Sequence, residues 1–98
     1  MHMISNITES LRLAEHYAAE ALVAGEVEDN RAGFVRLNLL VIQYASHAEG
    51  QIYLVQETLR TAGVLSTLDQ PGTRPLHKLV IEAFALSQVA RQAIIDCL

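Results

Sequence analysis

The stretch RLNLLVIQYASHAEGQIYLV, residues 36–55, decides how the chain folds, because it is rich in apolar residues and contains Gly50. From Phe34 to Ala62, apolar residues recur every three or four positions, which is the spacing of one face of an α-helix. A break at Gly50 would normally add loop residues and reset that spacing, whereas a glycine inside a helix costs only about 0.5–1 kcal/mol relative to alanine. The spacing predicts one long helix over about 31–61, and the alternative is two helices hinged at Gly50.

The same stretch is not a membrane span. Its longest uninterrupted apolar run is four residues, 39–42, whereas a spanning helix needs about 20. The N-terminus lacks the basic region and apolar segment of a signal peptide, and residues 1–3 are interpreted as in part a cloning remnant. A single cysteine, Cys97, fits a reducing compartment. We therefore expect a cytoplasmic protein.

Two further helices are predicted on either side of the long one. Asn6 and Glu9 have the spacing of a capping box, which predicts a first helix over about 7–24. Its inner face is expected to consist of the apolar residues Ile7, Leu11, Ala14, Ala18, Ala21 and Leu22. Gly25 is expected to close this helix, and Asp29 or Asn30 to cap the next one.

A loop with a turn at residues 71–72 precedes a third predicted helix over about 75–96, with an inner face from Leu76 to Cys97. No segment alternates apolar and polar residues as a half-buried strand does. The 98 residues allow one domain, 1–98. The sequence therefore predicts an all-α, three-helix bundle with a long central helix.

The chain has more apolar residues than one small bundle needs. It is 51% hydrophobic and 18% charged, whereas a domain of this size buries only about two-thirds of its unfolded surface. Self-association would cover the excess, so a helix-mediated homodimer is expected.

The excess is concentrated in a second apolar row on the long helix, about 100° from the first, with Leu40 and Leu54 in a third direction. One explanation is that helices 1 and 3 pack on two sides of the long helix; the other is an interface with a symmetry mate or a partner. The candidate interface residues are Val35, Leu39, Ile42, Tyr53, Leu54, Tyr17 and Phe84. Asn38 is expected to face solvent beside the main apolar face; the alternative is an interface residue that sets register.

The sequence contains no motif that commits it to a reaction. His16, His47 and His77 lie on separate predicted helices without HExxH or ExxH spacing, so they are expected to face solvent. No nucleophile elbow or phosphate-binding loop occurs, and Cys97 is expected to be a packed thiol. We therefore predict a protein that is not an enzyme and that has no catalytic residues, metal or cofactor.

The net charge of −4 disfavours direct binding to nucleic acid or to anionic lipid. The expected function is that of a small interaction module with a protein partner, most plainly a regulator that masks another protein, as bacterial anti-activators mask transcription regulators. An export chaperone, antitoxin or immunity protein is an alternative, as is a bundle that binds a small apolar ligand or a subunit whose active site needs another chain.

Overall fold

The computed structural model describes residues 2–61 and 74–98, with side chains described for residues 6–58, 60–61 and 77–98. Three helices make up most of these ranges: α1 over His2–Glu26, α2 over Arg31–Thr61 and α3 over Arg74–Cys97. The described ranges contain no strand, which confirms the all-α class. The turn expected at residues 71–72 lies outside the described residues.

The first helix begins earlier than predicted. Because α1 starts at His2, Asn6 lies inside the helix, and the predicted capping box is wrong. Glu9 instead accepts a hydrogen bond from Arg12, with 2.6 Å between Oε1 and Nη2. The physical reason is that residues 2–5 contain neither proline nor glycine, so nothing in this segment stops the helix from extending toward the N-terminus.

The connection between α1 and α2 reverses the chain in four residues. Gly25 does not close α1, since the helix continues to Glu26. The residue in the left-handed region is Asp29, with φ of 50°, a conformation that aspartate tolerates better than most residues. The amide of Asn30 donates to the carbonyl of Ala24 at 2.7 Å, which ties the end of the turn back to α1.

Asn30 caps α2, as predicted. Its Oδ1 accepts a hydrogen bond from the amide of Gly33 at 3.0 Å, which satisfies one of the backbone donors that have no partner within the helix. The beginning of α2 is therefore encoded by one residue and its local hydrogen bond.

The core is formed where α2 packs against both α1 and α3, while α1 and α3 contact each other much less. One cluster consists of Ile7, Leu11, Ala48, Ile52, Val55 and Ala83, and the other of Ala14, Val41, Ala45 and Ala90. Alanine makes up half of this set. Small side chains let the helix backbones approach closely, but each buries little apolar area, so the core of this bundle is small.

The buried arcs of α1 and α2 are rotated from those predicted. Leu22 was expected in the core but is exposed, whereas Ser10 and Ala24 are buried. The Ser10 hydroxyl donates to Oε1 of Gln51 on α2 at 3.1 Å. The expectation that Asn38 faces solvent is also wrong: it is buried, and its Nδ2 donates to the carbonyl of Phe34 at 3.0 Å. That bond removes the cost of burying the amide.

Candidate interaction surfaces

An apolar surface runs along the side of α2 that neither α1 nor α3 covers. It consists of Leu39, Gln43, Ser46, Gly50, Tyr53 and Leu54, which we call the outer face of α2. Leu39 is 54% exposed, and Tyr53 and Leu54 are each 59% exposed. The members from Leu39 to Tyr53 recur every three or four residues and form a continuous strip along the helix, and Leu54 lies beside Tyr53 at its end.

The middle of this outer face carries only small side chains, so the surface is recessed there. A Cβ built on Gly50 meets no other atom within 4 Å, and Ser46, one turn away, is also small and exposed. The large side chains of Leu39 and Tyr53 lie on either side of this recess along the helix. A surface with large apolar side chains at its ends and a recess at its centre allows the side-chain ridge of another helix to pack into it.

The seven candidate interface residues do not form a single surface. Leu39, Tyr53 and Leu54 are exposed on α2, and Phe84 is exposed on α3. Val35 is half-buried.

Ile42 and Tyr17 pack against the second core cluster, although we expected them to be left over after the bundle had packed. The Tyr17 ring stacks on that of Tyr44, with 5.6 Å between the ring centroids. These two side chains therefore contribute mainly to contacts within the chain.

A second apolar region lies at the end of α1 and was not predicted. Leu22, Val23 and Val27 are exposed there. Four exposed acidic residues lie in the same segment of the chain: Glu20, Glu26, Glu28 and Asp29. The C-terminal end of a helix carries a partial negative charge, so these groups add to the dipole of α1. The end of the α1–α2 hairpin is therefore both apolar and acidic.

Two open grooves of similar size border this end. One, of about 430 Å³, lies between Leu22, Phe34 and the half-buried thiol of Cys97. The other, of about 460 Å³, lies between α1 and α2 beside Val23 and Leu37. The sequence signal for this region is the mixture of valines and carboxylates in residues 22–29.

The titratable side chains do not converge on a catalytic or metal-binding arrangement within the described ranges. His16 lies 3.1 Å from Glu20, measured from Nε2 to Oε1, while His47 and His77 are exposed, as expected. No group of three or more metal-binding side chains occurs among the described residues.

The exposed pair of Glu9 and Arg12 is the clearest electrostatic contact on α1. The hydrogen bond from Arg12 lowers the pKa of Glu9, and the same bond raises the pKa of Arg12. Because both side chains are more than half exposed, salt screens their interaction, and the pair has little effect on the fold.

Across residues 2–61 and 74–98, none of the helices has the length and apolar content required to cross a membrane. Comparison of the chain with protein-family models, curated proteins and solved structures finds no match. The function must therefore be argued from the surfaces of the molecule.

Proposed function

We propose that this chain is a small non-catalytic, cytoplasmic interaction protein that binds another protein and masks it, in the manner of bacterial anti-activators that hold a transcription regulator inactive. In this proposal α2 is the long central helix of a bundle that assembles as a homodimer. The observation that carries the proposal is the apolar outer face of α2, with Leu39, Tyr53 and Leu54 each more than half exposed.

The outer face of α2 has the composition of a binding site. Complete burial of a large apolar side chain contributes about 1.5–3 kcal/mol. Tyr53 combines a large ring with a polar tip, and tyrosine is among the residues that most often dominate the energy of an interface. Gln43 and Ser46 supply neutral hydrogen-bonding groups beside the apolar residues, so the partner need not desolvate a charge in the centre of the contact.

Charge supports the choice of a basic partner. The chain has a net charge of −4, and four of its carboxylates lie at the end of the α1–α2 hairpin beside exposed apolar residues. Opposite charges accelerate association and help to select the partner. A DNA-binding regulator has the required basic surface, and covering that surface would prevent it from reaching DNA.

The test is affinity capture from the source cell, followed by binding of the purified partner to matched variants. Leu39→Glu and Tyr53→Glu place a carboxylate in the proposed contact and should each weaken partner binding at least about 30-fold. The control is Val89→Glu, which places a carboxylate at an apolar residue of α3 that is 70% exposed, and this variant should retain the partner. Loss of binding in the control together with normal binding by Tyr53→Glu would overturn the assignment to α2.

Masking requires a second measurement with the same components. The captured partner should lose its DNA binding or its self-assembly when the wild-type chain is added, and Tyr53→Glu should leave that activity intact. If the partner instead gains secretion competence or loses toxicity, the chain is an export chaperone or an antitoxin.

A ligand-binding bundle is the second candidate, favoured by the groove between Leu22, Phe34 and Cys97. Its volume of about 430 Å³ is within the range that holds small ligands, roughly 300–1,000 Å³. A small-molecule adduct retained in native mass spectrometry would support this candidate over the first.

A further inference from the structure

The side of α3 that faces away from the core carries a regular row of exposed residues. The row consists of Ile81, Phe84, Gln88, Arg91 and Ile95, followed by Leu98 just beyond the helix; we call it the outer face of α3. Its four apolar members are all at least 56% exposed. The steps between successive members are three, four, three, four and three residues.

This spacing is that of the contact positions of a two-helix coiled coil. These are not the residues that bind α3 to its own bundle. Ala83, Ser87 and Ala90 do that, and the arc that they occupy is buried and rotated by about 100° from the row. One side of α3 is therefore used within the chain, while a second side with its own heptad pattern is uncovered.

Charge favours a second copy of the chain as the occupant. Arg91 is the only charged member of the outer face of α3, so two such faces can approach with little repulsion if the two arginines are kept apart. In a parallel pair, each Arg91 would lie opposite the other copy's Arg91. In an antiparallel pair, Arg91 lies opposite Gln88 of the second copy, whose amide oxygen can accept its hydrogen bond.

The antiparallel register also pairs the apolar residues with one another. In an antiparallel coiled coil, the a positions of one helix meet the d positions of the other. Phe84 therefore packs on Ile95 of the second copy, and Ile81 packs on its Leu98. Two polar layers at the centre are then flanked by apolar layers on both sides. The two helix dipoles are also opposed, which is their favourable orientation.

The area is sufficient for a specific dimer. Each of the four apolar residues leaves on the order of 100 Å² or more uncovered. With the polar members, two copies would bury roughly 1,200 Å² in total, which reaches the lower end of the range for stable interfaces.

We propose that the outer face of α3 is the surface on which a second copy of this chain docks, with the two α3 helices antiparallel. This inference rests on the homodimer in the proposed function and assigns it to α3, which leaves the outer face of α2 for the heterologous partner.

Sedimentation equilibrium of purified variants tests the choice of surface. Phe84→Glu should raise the dimer dissociation constant at least about 100-fold, since it places a carboxylate in the apolar layer. Tyr53→Glu, a matched change on α2, should leave the constant within about twofold of wild type. Circular dichroism should show equal helicity in both variants, because both side chains are more than half exposed.

The opposite pattern, in which Tyr53→Glu gives monomers and Phe84→Glu remains a dimer, would overturn the assignment to α3 and leave the homodimer standing. A wild-type chain that is monomeric at high micromolar concentration would overturn both. Neither result depends on partner capture, so failure of the masking proposal is distinguishable from failure of this one.

Exposed Gln88 provides a second test that does not disturb the core. Antiparallel pairing places residue 88 opposite Arg91, so Gln88→Glu should tighten the dimer by roughly threefold at low salt, and Gln88→Lys should weaken it by a similar factor. In a parallel dimer, residue 88 would face its own copy, and both changes would weaken association. Weakening by both variants, or an effect of neither, would overturn the antiparallel arrangement.

Discussion

Gly50 occupies a helical position in which a larger residue has room. It lies within α2, it is exposed, and a Cβ built on it meets no other atom within 4 Å. We predict that Gly50→Ala stabilises the chain by about 0.5–1 kcal/mol, because alanine loses less backbone entropy on entering a helix. Urea unfolding monitored by circular dichroism would measure the change. A destabilised variant would contradict the description of this site as open helix surface.

Asn30, which caps α2, and Asn38, which is buried in it, differ in how far the sequence alone predicts their roles. The sequence predicted that Asp29 or Asn30 caps α2, because both residue types are common caps. The cap is Asn30, and its hydrogen bond to Gly33 is local in the chain. The burial of Asn38 could not be predicted in that way. Its amide bonds to the carbonyl of Phe34 within the same helix, but whether that side of the helix is covered depends on where its neighbours pack.

At the scale of elements, the approach of α1 to α2 depends on Gly25. A Cβ at this position would lie 2.6 Å from Cδ1 and 3.0 Å from Cε1 of Phe34, both shorter than van der Waals contact. We predict that Gly25→Ala destabilises the chain by roughly 1–3 kcal/mol, because the Phe34 ring or one of the helices must move. The change is the same as that at Gly50, but the expected sign is opposite.

Parallel urea titrations of Gly25→Ala and Gly50→Ala therefore separate helix propensity from helix packing. Adding Phe34→Leu to Gly25→Ala should recover part of the loss, since the smaller side chain relieves the collision. A gain in stability for Gly25→Ala alone would mean that the ends of α1 and α2 are farther apart than described.

The starts of the helices also differ in how well nearby residues predict them. The beginning of α2 was predictable from its cap, whereas the capping pattern at Asn6 and Glu9 did not mark the beginning of α1. A capping box stabilises a helix end only if the residues before it are not helical. Here the preceding residues continue the helix, and Glu9 forms an ion pair with Arg12 on the helix surface.

For the whole molecule, the proposed homodimer predicts that stability depends on association, because the core formed by the described residues is small and rich in alanine. If the homodimer forms, folding is coupled to protein concentration, and a tenfold dilution should lower the midpoint of thermal unfolding by about 3–5 °C. Differential scanning fluorimetry or circular dichroism across a 100-fold concentration range would measure this dependence. Phe84→Glu should have a lower midpoint that does not vary with concentration. A wild-type midpoint independent of concentration would contradict the coupling.

The sequence by itself determined the helical class and narrowed the cap of α2 to Asp29 or Asn30, because both depend on periodicity and on hydrogen bonds between residues close in the chain. It also located part of the excess apolar surface, including Leu39, Tyr53 and Phe84. Only the tertiary structure decided which arc of each helix is covered. It placed Leu22 outside and Ser10 inside, and it packed Ile42 and Tyr17 against the core. The physical reason is that successive residues on a helix differ in direction by about 100°, so a small rotation of the helix exchanges neighbouring residues between core and surface. That rotation is set by contacts such as that between Gly25 and Phe34, which bring together residues on different helices.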